Sequence, residues 1–359
     1  MNKNEQKKYI TTADQSMIQA MEMIDRNAKG ILYITDTQGR LMGSLTDGDI
    51  RRWILKTGRL SASVSEMVFK HTKYLFEADA DRYAEFMDEQ QISSVPVVDA
   101  DLKIVDIIFR HGSVKDRFMT KSTALAGISV VIMAGGKGTR LLPYTRILPK
   151  PLIPVDGVPI LERILNRFHE FGTQEFFVTV NYKKEIIKSY FSEQKLPYRI
   201  SYIEEQQPLG TAGSIRLIHQ QFSHPVIITN CDILIEANYD KVMRYHMDSG
   251  NDMTIVSSLK NMSIPYGVLH AKEQGIITAM EEKPQLSYFI NTGMYVVNPE
   301  YLSWIPEHTV YHMTDLADRM MQDGRRVGMY PVSENSFLDM GELEEMKKME
   351  ARISGGIAE

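Results

Sequence analysis

Cysteine is nearly missing: Cys231 is the one thiol in 359 residues. An internal disulfide framework is excluded, which fits a reducing cytoplasm. No Cys or His stands near Cys231 at zinc spacing, so it reads as packing. The chain also lacks any apolar run long enough to span a membrane, and its polar start, MNKNEQKKYITT, has no apolar signal core. A cytoplasmic protein without a membrane partner is expected. Positive charge is not in excess. A net charge of −5 gives no electrostatic footprint for nucleic acid, although a basic cleft can hide within an acidic average.

What is present is ordinary for a soluble globular protein: 43% hydrophobic and 24% charged residues. The 22 methionines read as core filler. At this length one hydrophobic core rarely serves, so two domains are expected.

The first third is duplicated. Residues 30–55 (GILYITDTQGRLMGSLTDGDIRRWIL) give a strand, a glycine turn, a second strand and a helix start. Residues 94–114 (SVPVVDADLKIVDIIFRHGSV) repeat the strand–turn–strand order roughly 64 positions later. Stretches 16–28 and 80–91 precede the copies, with apolar residues at three- and four-residue steps, as in helices. A repeat of this size implies that one copy buries its face against the other. The expected division is a pair at 1–120 (about 8–62 and 63–120), a linker at 121–127 within the aperiodic stretch that begins at Ser113, and a second domain at 128–359.

Gly43-Ser44-Leu45-Thr46-Asp47-Gly48-Asp49 resembles the G-h-x-T-x-x-D element of CBS domains, α+β modules that pair in tandem. The resemblance implies an adenine nucleotide, with phosphate at Thr46 and ribose at Asp49. Hydroxyl and helix start can receive phosphate, and a carboxylate can accept from ribose hydroxyls. The bland alternative is that both residues cap a helix. In the second copy Val105–His111 departs from the pattern, so a kept fold and a lost ligand are expected. A regulatory or dimer-forming role suits the pair better than catalysis, and a homo-oligomer is expected.

Residues 128–152 (ISVVIMAGGKGTRLLPYTRILPKPL) hold the densest signal. A β-type run empties into consecutive glycines, where bare N–H groups can meet a polyphosphate, and basic residues follow. Walker A needs Ser or Thr after Gly-Lys, but Gly138 follows Lys137. The dinucleotide fingerprint needs a third glycine where Leu141 stands. Both are excluded. What remains resembles the sugar-1-phosphate nucleotidyltransferase signature AGGxGTRLxPxTxxxPKPLxPV. It matches at Ala134, Gly135, Gly136, Gly138, Thr139, Arg140, Leu141, Pro143, Thr145, Pro149, Lys150, Pro151, Leu152, Pro154 and Val155.

After this element strands and helices alternate: helix 160–171, strand 175–181, helix 184–191, strand 198–205, helix 211–222 and strand 226–232. The order argues a doubly wound α/β domain whose strand ends share one rim. With the resemblance, a Rossmann-like (GT-A-like) nucleotidyltransferase domain with a mixed, mostly parallel sheet is expected behind the CBS pair. At one strand end, Glu205–Gly213 resembles the family's E-x-x-P-L-G-T-A-G. It implies nucleotide contacts at Glu205, Pro208, Leu209, Gly210 and Thr211 beside those of the glycine loop. A Glu205 carboxylate could accept guanine's N1–H and amine together, which favours GTP; the competing reading is a solvated strand-end residue. At another, Asn230-Cys231-Asp232 resembles the family's metal position, with Phe337–Gly341 resembling its W-x-D-I-G despite Ser336 for Trp and Met340 for Ile. Asp232 and Asp339 are thus implied ligands of Mg²⁺, which takes one or two carboxylates plus phosphate oxygens.

Gly267, Glu282, Lys283, Asn291 and Thr292 lie in stretches resembling the family's sugar-phosphate elements. The resemblance implies that a sugar 1-phosphate attacks an NTP, with Arg140 and Lys150 catalytic. CBS-like modules ahead of such a half resemble guanylyltransferases of nonulosonic (legionaminic) acid synthesis, which use glucosamine 1-phosphate. Mannose or heptose 1-phosphate, or uridylyl, thymidylyl or cytidylyl transfer, stay open. So does a nucleotide-sensing binding protein built on an inactive transferase fold.

Overall fold

The computed structural model describes residues 3–27, 29–59, 61–69, 71–110 and 123–353. The chain divides into two compact units, Met1–Arg117 and Phe118–Glu359. The stretch 113–122 and the glycines at 355 and 356, expected as linker and helix stop, lie outside the described residues, as does His111.

The first unit is two copies of one plan. After α1 (Lys3–Gln6) come β1 (Ile10–Thr12), α2 (Met17–Asn27), β2 (Ile31–Thr35), β3 (Leu41–Thr46) and α3 (Asp47–Thr57). The second copy has β4 (Leu75–Phe76), α4 (Tyr83–Glu89), β5 (Ser94–Val98) and β6 (Ile104–Phe109). In each three-stranded sheet the first pairing is parallel and the second antiparallel. Met17, Ala20 and Ile24 are buried, the stripe a helical period places on one face of α2. The Tyr33 hydroxyl meets Ser94 Oγ at 2.7 Å in a buried contact between the copies. The helix expected over 80–91 is shorter, because a 3₁₀ stretch, Glu77–Arg82, precedes α4.

The second unit begins with β7 (Val130–Met133), the hairpin strands β8 (Pro154–Val155) and β9 (Val158–Pro159), α5 (Ile160–Glu170), β10 (Glu175–Val180), α6 (Lys184–Ser192) and β11 (Arg199–Glu204). Then come β12 (Val226–Asn230), β13 (Ile233–Ile235), α7 (Tyr239–Asp248), β14 (Met253–Ser263), β15 (Val268–Ala271), β16 (Ile277–Glu281) and β17 (Gln285–Val297). It closes with α8 (Met313–Gln322), β18 (Val327–Val332), β19 (Phe337–Asp339) and α9 (Leu343–Ile353). Seven strands form one sheet in the order β11-β10-β7-β12-β17-β14-β18. Its pairs are parallel except β12–β17 and β17–β14. The fold is a mixed, mostly parallel α/β sheet.

β7 is buried on both faces, as the central strand of such a sheet must be. Val130 and Ile132 belong to the buried cluster that holds α5 and α7 side chains, while Val131 and Met133 belong to the one that holds those of α8. The chain adds β10 and β11 on one side of β7, then returns to place β12 on the other. That reversal is the topological switch point, where crevices open outside the strands' carboxyl ends.

Two expectations need correction. The helix expected over 211–222 is only a 3₁₀ stretch, Gly213–Leu217: Gly210 and Gly213 weaken a helix here, and the Ala212 and Gly213 N–H groups are held by Tyr311 O. The linker expected to run to residue 127 is packed at its end: Leu125 is buried and its N–H donates to Phe171 O at 2.8 Å.

Candidate active site

Three loops leave the switch point side by side. β7 runs into the glycine loop, where the Ala134 N–H donates to Thr179 O at 3.0 Å. β12 runs into Asn230-Cys231-Asp232, and the Cys231 N–H donates to Met133 O at 3.3 Å. β13 pairs with β19 so that Ile233 faces Asp339, and the Met340 N–H donates to Asp232 O at 2.8 Å. The two aspartates, distant in sequence, are therefore neighbours.

Lys150 joins them. Its side chain is buried (8% exposed), and its Nζ donates to Asp232 Oδ2. Burial pushes the Asp339 carboxyl above its ordinary value, and the Asp232 charge pushes it further. The Gly341 N–H, Lys150 and Arg140 pull it back. Those influences place Arg140, Lys150, Asp232 and Asp339 in one electrostatic neighbourhood. The Arg140 guanidinium is exposed and makes no ion pair among the described residues.

The glycines differ in purpose. Gly138 has φ +66°, and a Cβ there would lie 2.9 Å from Thr145 Cγ2 and 3.0 Å from Lys150 Cβ. At Gly135 a Cβ would lie 2.6 Å from Glu205 Oε1. At Gly136 it would meet nothing within 4 Å, so that stretch of backbone is bare on its open side. Lys137 and Thr139 beside it are exposed.

Two carboxylates that repel each other, beside exposed and buried cations, suit a divalent ion. Mg²⁺ needs only one or two carboxylates, with phosphate oxygens and water completing the shell. No group of three or more Cys, His, Asp or Glu able to hold a metal exists among the described residues. Cys231 is buried and its thiol is pushed up to about 12 by burial and by Asp232. It is packing.

Glu205 is not the solvated residue that one reading allowed. It is buried, its carboxyl is raised by desolvation, and Oε2 accepts the Leu209 N–H at 3.4 Å. The carboxylate lies against Gly135 and joins the glycine loop to the turn at 205–209. The rest of that turn is also held by protein. Tyr311 N–H donates to Leu209 O at 3.0 Å, and Met313 N–H donates to Thr211 Oγ1 at 3.0 Å. Gly210 (φ +78°) lets the Tyr311 carbonyl pass within 2.5 Å of where a Cβ would stand. Pro208 is exposed, as are Gln206 and Gln207, which line a cavity of about 440 Å³ with Leu209, Tyr202 and His219.

The expected sugar-side residues fall into two places. Asn291, Thr292 and Gly293 form a bulge in β17, opposite the register shift at Val256/Ser257 of β14. Gly293 lies directly against the Asn230 side chain, which brings the bulge beside the Asp232 strand end. Within it the Asn291 amide donates to the Tyr295 hydroxyl (2.7 Å), and the buried Thr292 hydroxyl donates to Val256 O (2.7 Å). Gly267, Glu282 and Lys283 sit instead at the base of the exposed β15–β16 hairpin, with Glu282 Oε2 3.2 Å from a Cβ at Gly267. No hydrogen bond or ion pair among the described residues joins them to the Asp232 cluster.

In the first unit Thr46 and Asp49 form a complete capping box on α3. Asp49 Oδ2 accepts from Thr46 N–H (2.9 Å) and Oγ1 (2.6 Å), and Asp49 N–H donates back to Thr46 Oγ1 (3.2 Å). The cap reading is satisfied without a ligand.

Sequence reasoning passed over Thr179, Asn181-Tyr182-Lys183 and Tyr311-His312. The first two groups lie at the end of β10, a strand end that the same carboxyl-end rule could have found. Asn181 Nδ2 donates to Glu205 O at 3.0 Å, so that turn braces the base-side loop.

A mannose-1-phosphate guanylyltransferase catalytic subunit beta from Xenopus tropicalis is 31% identical over 210 residues, covering 56% of this chain and 58% of the relative. A UTP–glucose-1-phosphate uridylyltransferase from Synechocystis is 30% identical over 237 residues, covering 60% of this chain and 61% of the relative. The chain thus spans about three fifths of the length of these relatives. A sucrose-bound crystal structure from Bacillus anthracis aligns with TM-score 0.50 at 18% identity over 65% of this chain and 97% of that one, a likeness of fold. Residues 7–56 match the CBS domain family. Residues 129–354, more than half the chain, match the nucleotidyl transferase family, and to that family the chain belongs.

Proposed function

We propose that the second unit transfers a nucleotidyl group from an NTP to a sugar 1-phosphate, releasing pyrophosphate. The observation that carries this reading is the convergence of Lys150, Asp232 and Asp339 at the switch point, beside the glycine loop whose backbone is open at Gly136 and which leads into Arg140. A sugar-phosphate oxygen forms a bond to the α-phosphorus in line. The bond from that phosphorus to the oxygen bridging to the β-phosphate breaks, and pyrophosphate leaves with the electron pair. No covalent enzyme intermediate is required; positioning and charge neutralisation suffice.

The exposed Arg140 is free to hold the β- and γ-phosphates and the leaving charge. Lys150, fixed by Asp232 and by its burial, is assigned to the α-phosphate. Asp232 and Asp339 would hold Mg²⁺, which when bound neutralises phosphate charge and orients the two reacting groups. The N–H groups at Gly135, Gly136 and Gly138 are assigned to the polyphosphate, with Ala134 and Thr139 flanking them. Gly267, Glu282, Lys283 and Asn291 are assigned to the sugar phosphate, and Thr292 to shaping the bulge that carries Asn291.

GTP is the favoured nucleotide, supported by the resemblance to mannose-1-phosphate guanylyltransferases. Glu205 supports it less, because its carboxylate already accepts from Leu209 and lies against Gly135. The uridylyltransferase relative keeps UTP as the second reading. Among sugars we favour glucosamine 1-phosphate, for a GDP-sugar feeding nonulosonic (legionaminic) acid synthesis, because a CBS domain stands ahead of the transferase half. Pyrophosphate release with each of the four common NTPs against a panel of hexose and heptose 1-phosphates tests both choices. GTP with glucosamine 1-phosphate is expected to turn over fastest. Faster turnover of another pair replaces the assignment, and no turnover of any pair returns the chain to a binding role.

A further inference from the structure

The geometry points to Lys183 as a positioning residue that holds the loop between the two catalytic cations. The inference rests on the transferase reading of that loop. Lys183 closes the turn after β10 and has φ +53°, a left-handed conformation that side chains other than glycine rarely adopt. Its ammonium donates to three consecutive carbonyls: Thr145 at 3.3 Å, Arg146 at 2.5 Å and Ile147 at 2.8 Å. The Tyr182 ring lies 5.3 Å from the same ammonium, and the Tyr182 hydroxyl reaches Thr145 O at 3.4 Å.

Those carbonyls belong to the loop linking Arg140 to Lys150. Little apolar packing can fix its tip, because Tyr144 is 52% and Ile147 78% exposed. Thr145 is the exception. It is 2% exposed, its hydroxyl donates to Gly138 O at 3.0 Å, and its methyl group lies under the Gly138 Cα. The connection therefore runs from the Lys183 ammonium to the 145–147 carbonyls, through Thr145 to Gly138, and so to the phosphate-facing turn and Arg140. An ammonium can satisfy three acceptors at once, which a neutral side chain of the same length cannot. Lys183 touches no assigned substrate position; it acts through Thr145.

The test compares Lys183→Met, which keeps the stem and removes the charge, with Lys183→Arg in the full-length protein. Two readouts are needed. The first is independent of activity: the rate of tryptic cleavage at Arg146–Ile147, an exposed bond inside the clamped loop, followed by mass spectrometry. Lys183→Met is expected to raise that rate at least fivefold, and Lys183→Arg to return it near wild type. The second is the split of kinetic constants. Lys183→Met is expected to lower kcat on the order of tenfold or more, with little change in KM for the sugar phosphate, and Lys183→Arg to recover most of it. Unchanged cleavage at Arg146–Ile147 in Lys183→Met overturns the clamp. So does a kcat loss that Arg does not rescue. A wild-type protein inactive with every NTP overturns the transferase reading instead, and the cleavage rates then still decide whether Lys183 holds the loop.

Discussion

Lys150 and Asp232 stand 82 positions apart in the chain, yet the ammonium donates to the carboxylate, and Asp339 lies one strand pairing away. Replacing Asp232 by Asn removes charge from the lysine's partner and from the implied metal. Replacing Arg140 by Ala removes a cation that makes no ion pair among the described residues. Each is expected to lower kcat/KM by on the order of 10²–10³-fold, the scale of a lost transition-state donor or clamp. Purified Arg140→Ala should keep its thermal midpoint; near-wild-type turnover in either variant contradicts these roles. Gly136→Ala separates cradle from fold. A Cβ there meets nothing within 4 Å, so thermal stability should hold, while NTP affinity should fall by on the order of tenfold as the methyl group enters the space assigned to phosphate. An unchanged KM for NTP would show that phosphate does not approach that residue. The motif letters at these positions were legible through their resemblance to the family signature, and Gly136 and Asp232 also follow strands that the apolar pattern reveals. The direction of the Glu205 side chain was not. Whether a strand-end carboxylate faces solvent or Gly135 depends on how β11 lies in register with β10, and on the loop from β7, which no local pattern encodes.

At the scale of elements α5, β10, α6, β11 and β12 followed from periodicity, while the helix expected over 211–222 did not form and α7, α8 and β18 were not foreseen. Gly210 and Gly213 weaken a helix on propensity alone, and the segment's donors and acceptors pair with Tyr311, about a hundred positions on. A helix was expected because the pairing segment around Tyr311 is invisible to local pattern. α7 is tied to the sheet by a polar contact that carries a pH signature. His246 is 1% exposed, with Nδ1 2.9 Å from Thr254 Oγ1 and Nε2 3.0 Å from Asn298 Oδ1. Burial lowers its folded-state pKa below the ordinary 6.5, against the opposing influence of Asn298 and Asp252. Below 6.5 the unfolded chain therefore takes up a proton that the folded chain resists. The contribution of His246 is complete above that pH and is lost as pH falls toward the folded pKa. Denaturation midpoints between pH 8 and 5 should fall less steeply in His246→Gln than in wild type. Equal slopes contradict the assignment. In the first unit the capping box on α3 makes its own prediction. Thr46→Ala should cost about 1 kcal/mol in that unit's denaturant unfolding, with transferase turnover kept. No loss of stability would mean that the cap contributes nothing and would reopen Thr46 to a ligand role.

At the scale of the whole molecule, the sequence revealed a repeated helix–strand–turn–strand order in the first unit, because repetition is visible without knowing how the copies pack, while the short leading strands β1 and β4 were not foreseen. The CBS family matches residues 7–56, the first copy, where Thr46 and Asp49 stand. The second copy keeps the sheet order but its sequence carries Val105–His111 where the Gly and Thr-x-x-Asp should fall, a difference legible from the outset. In the transferase unit the switch-point topology gathers residues from positions 134 to 341 on one rim, and that gathering is what the chemistry requires. The most direct measurement is a crystal structure of the full-length protein with Mg²⁺ and a non-hydrolysable NTP. The account predicts the polyphosphate against the Gly135–Gly138 backbone, its β- and γ-phosphates on Arg140, its α-phosphate on Lys150 and the metal on Asp232. A nucleotide bound elsewhere in the second unit, with those four side chains untouched, contradicts it.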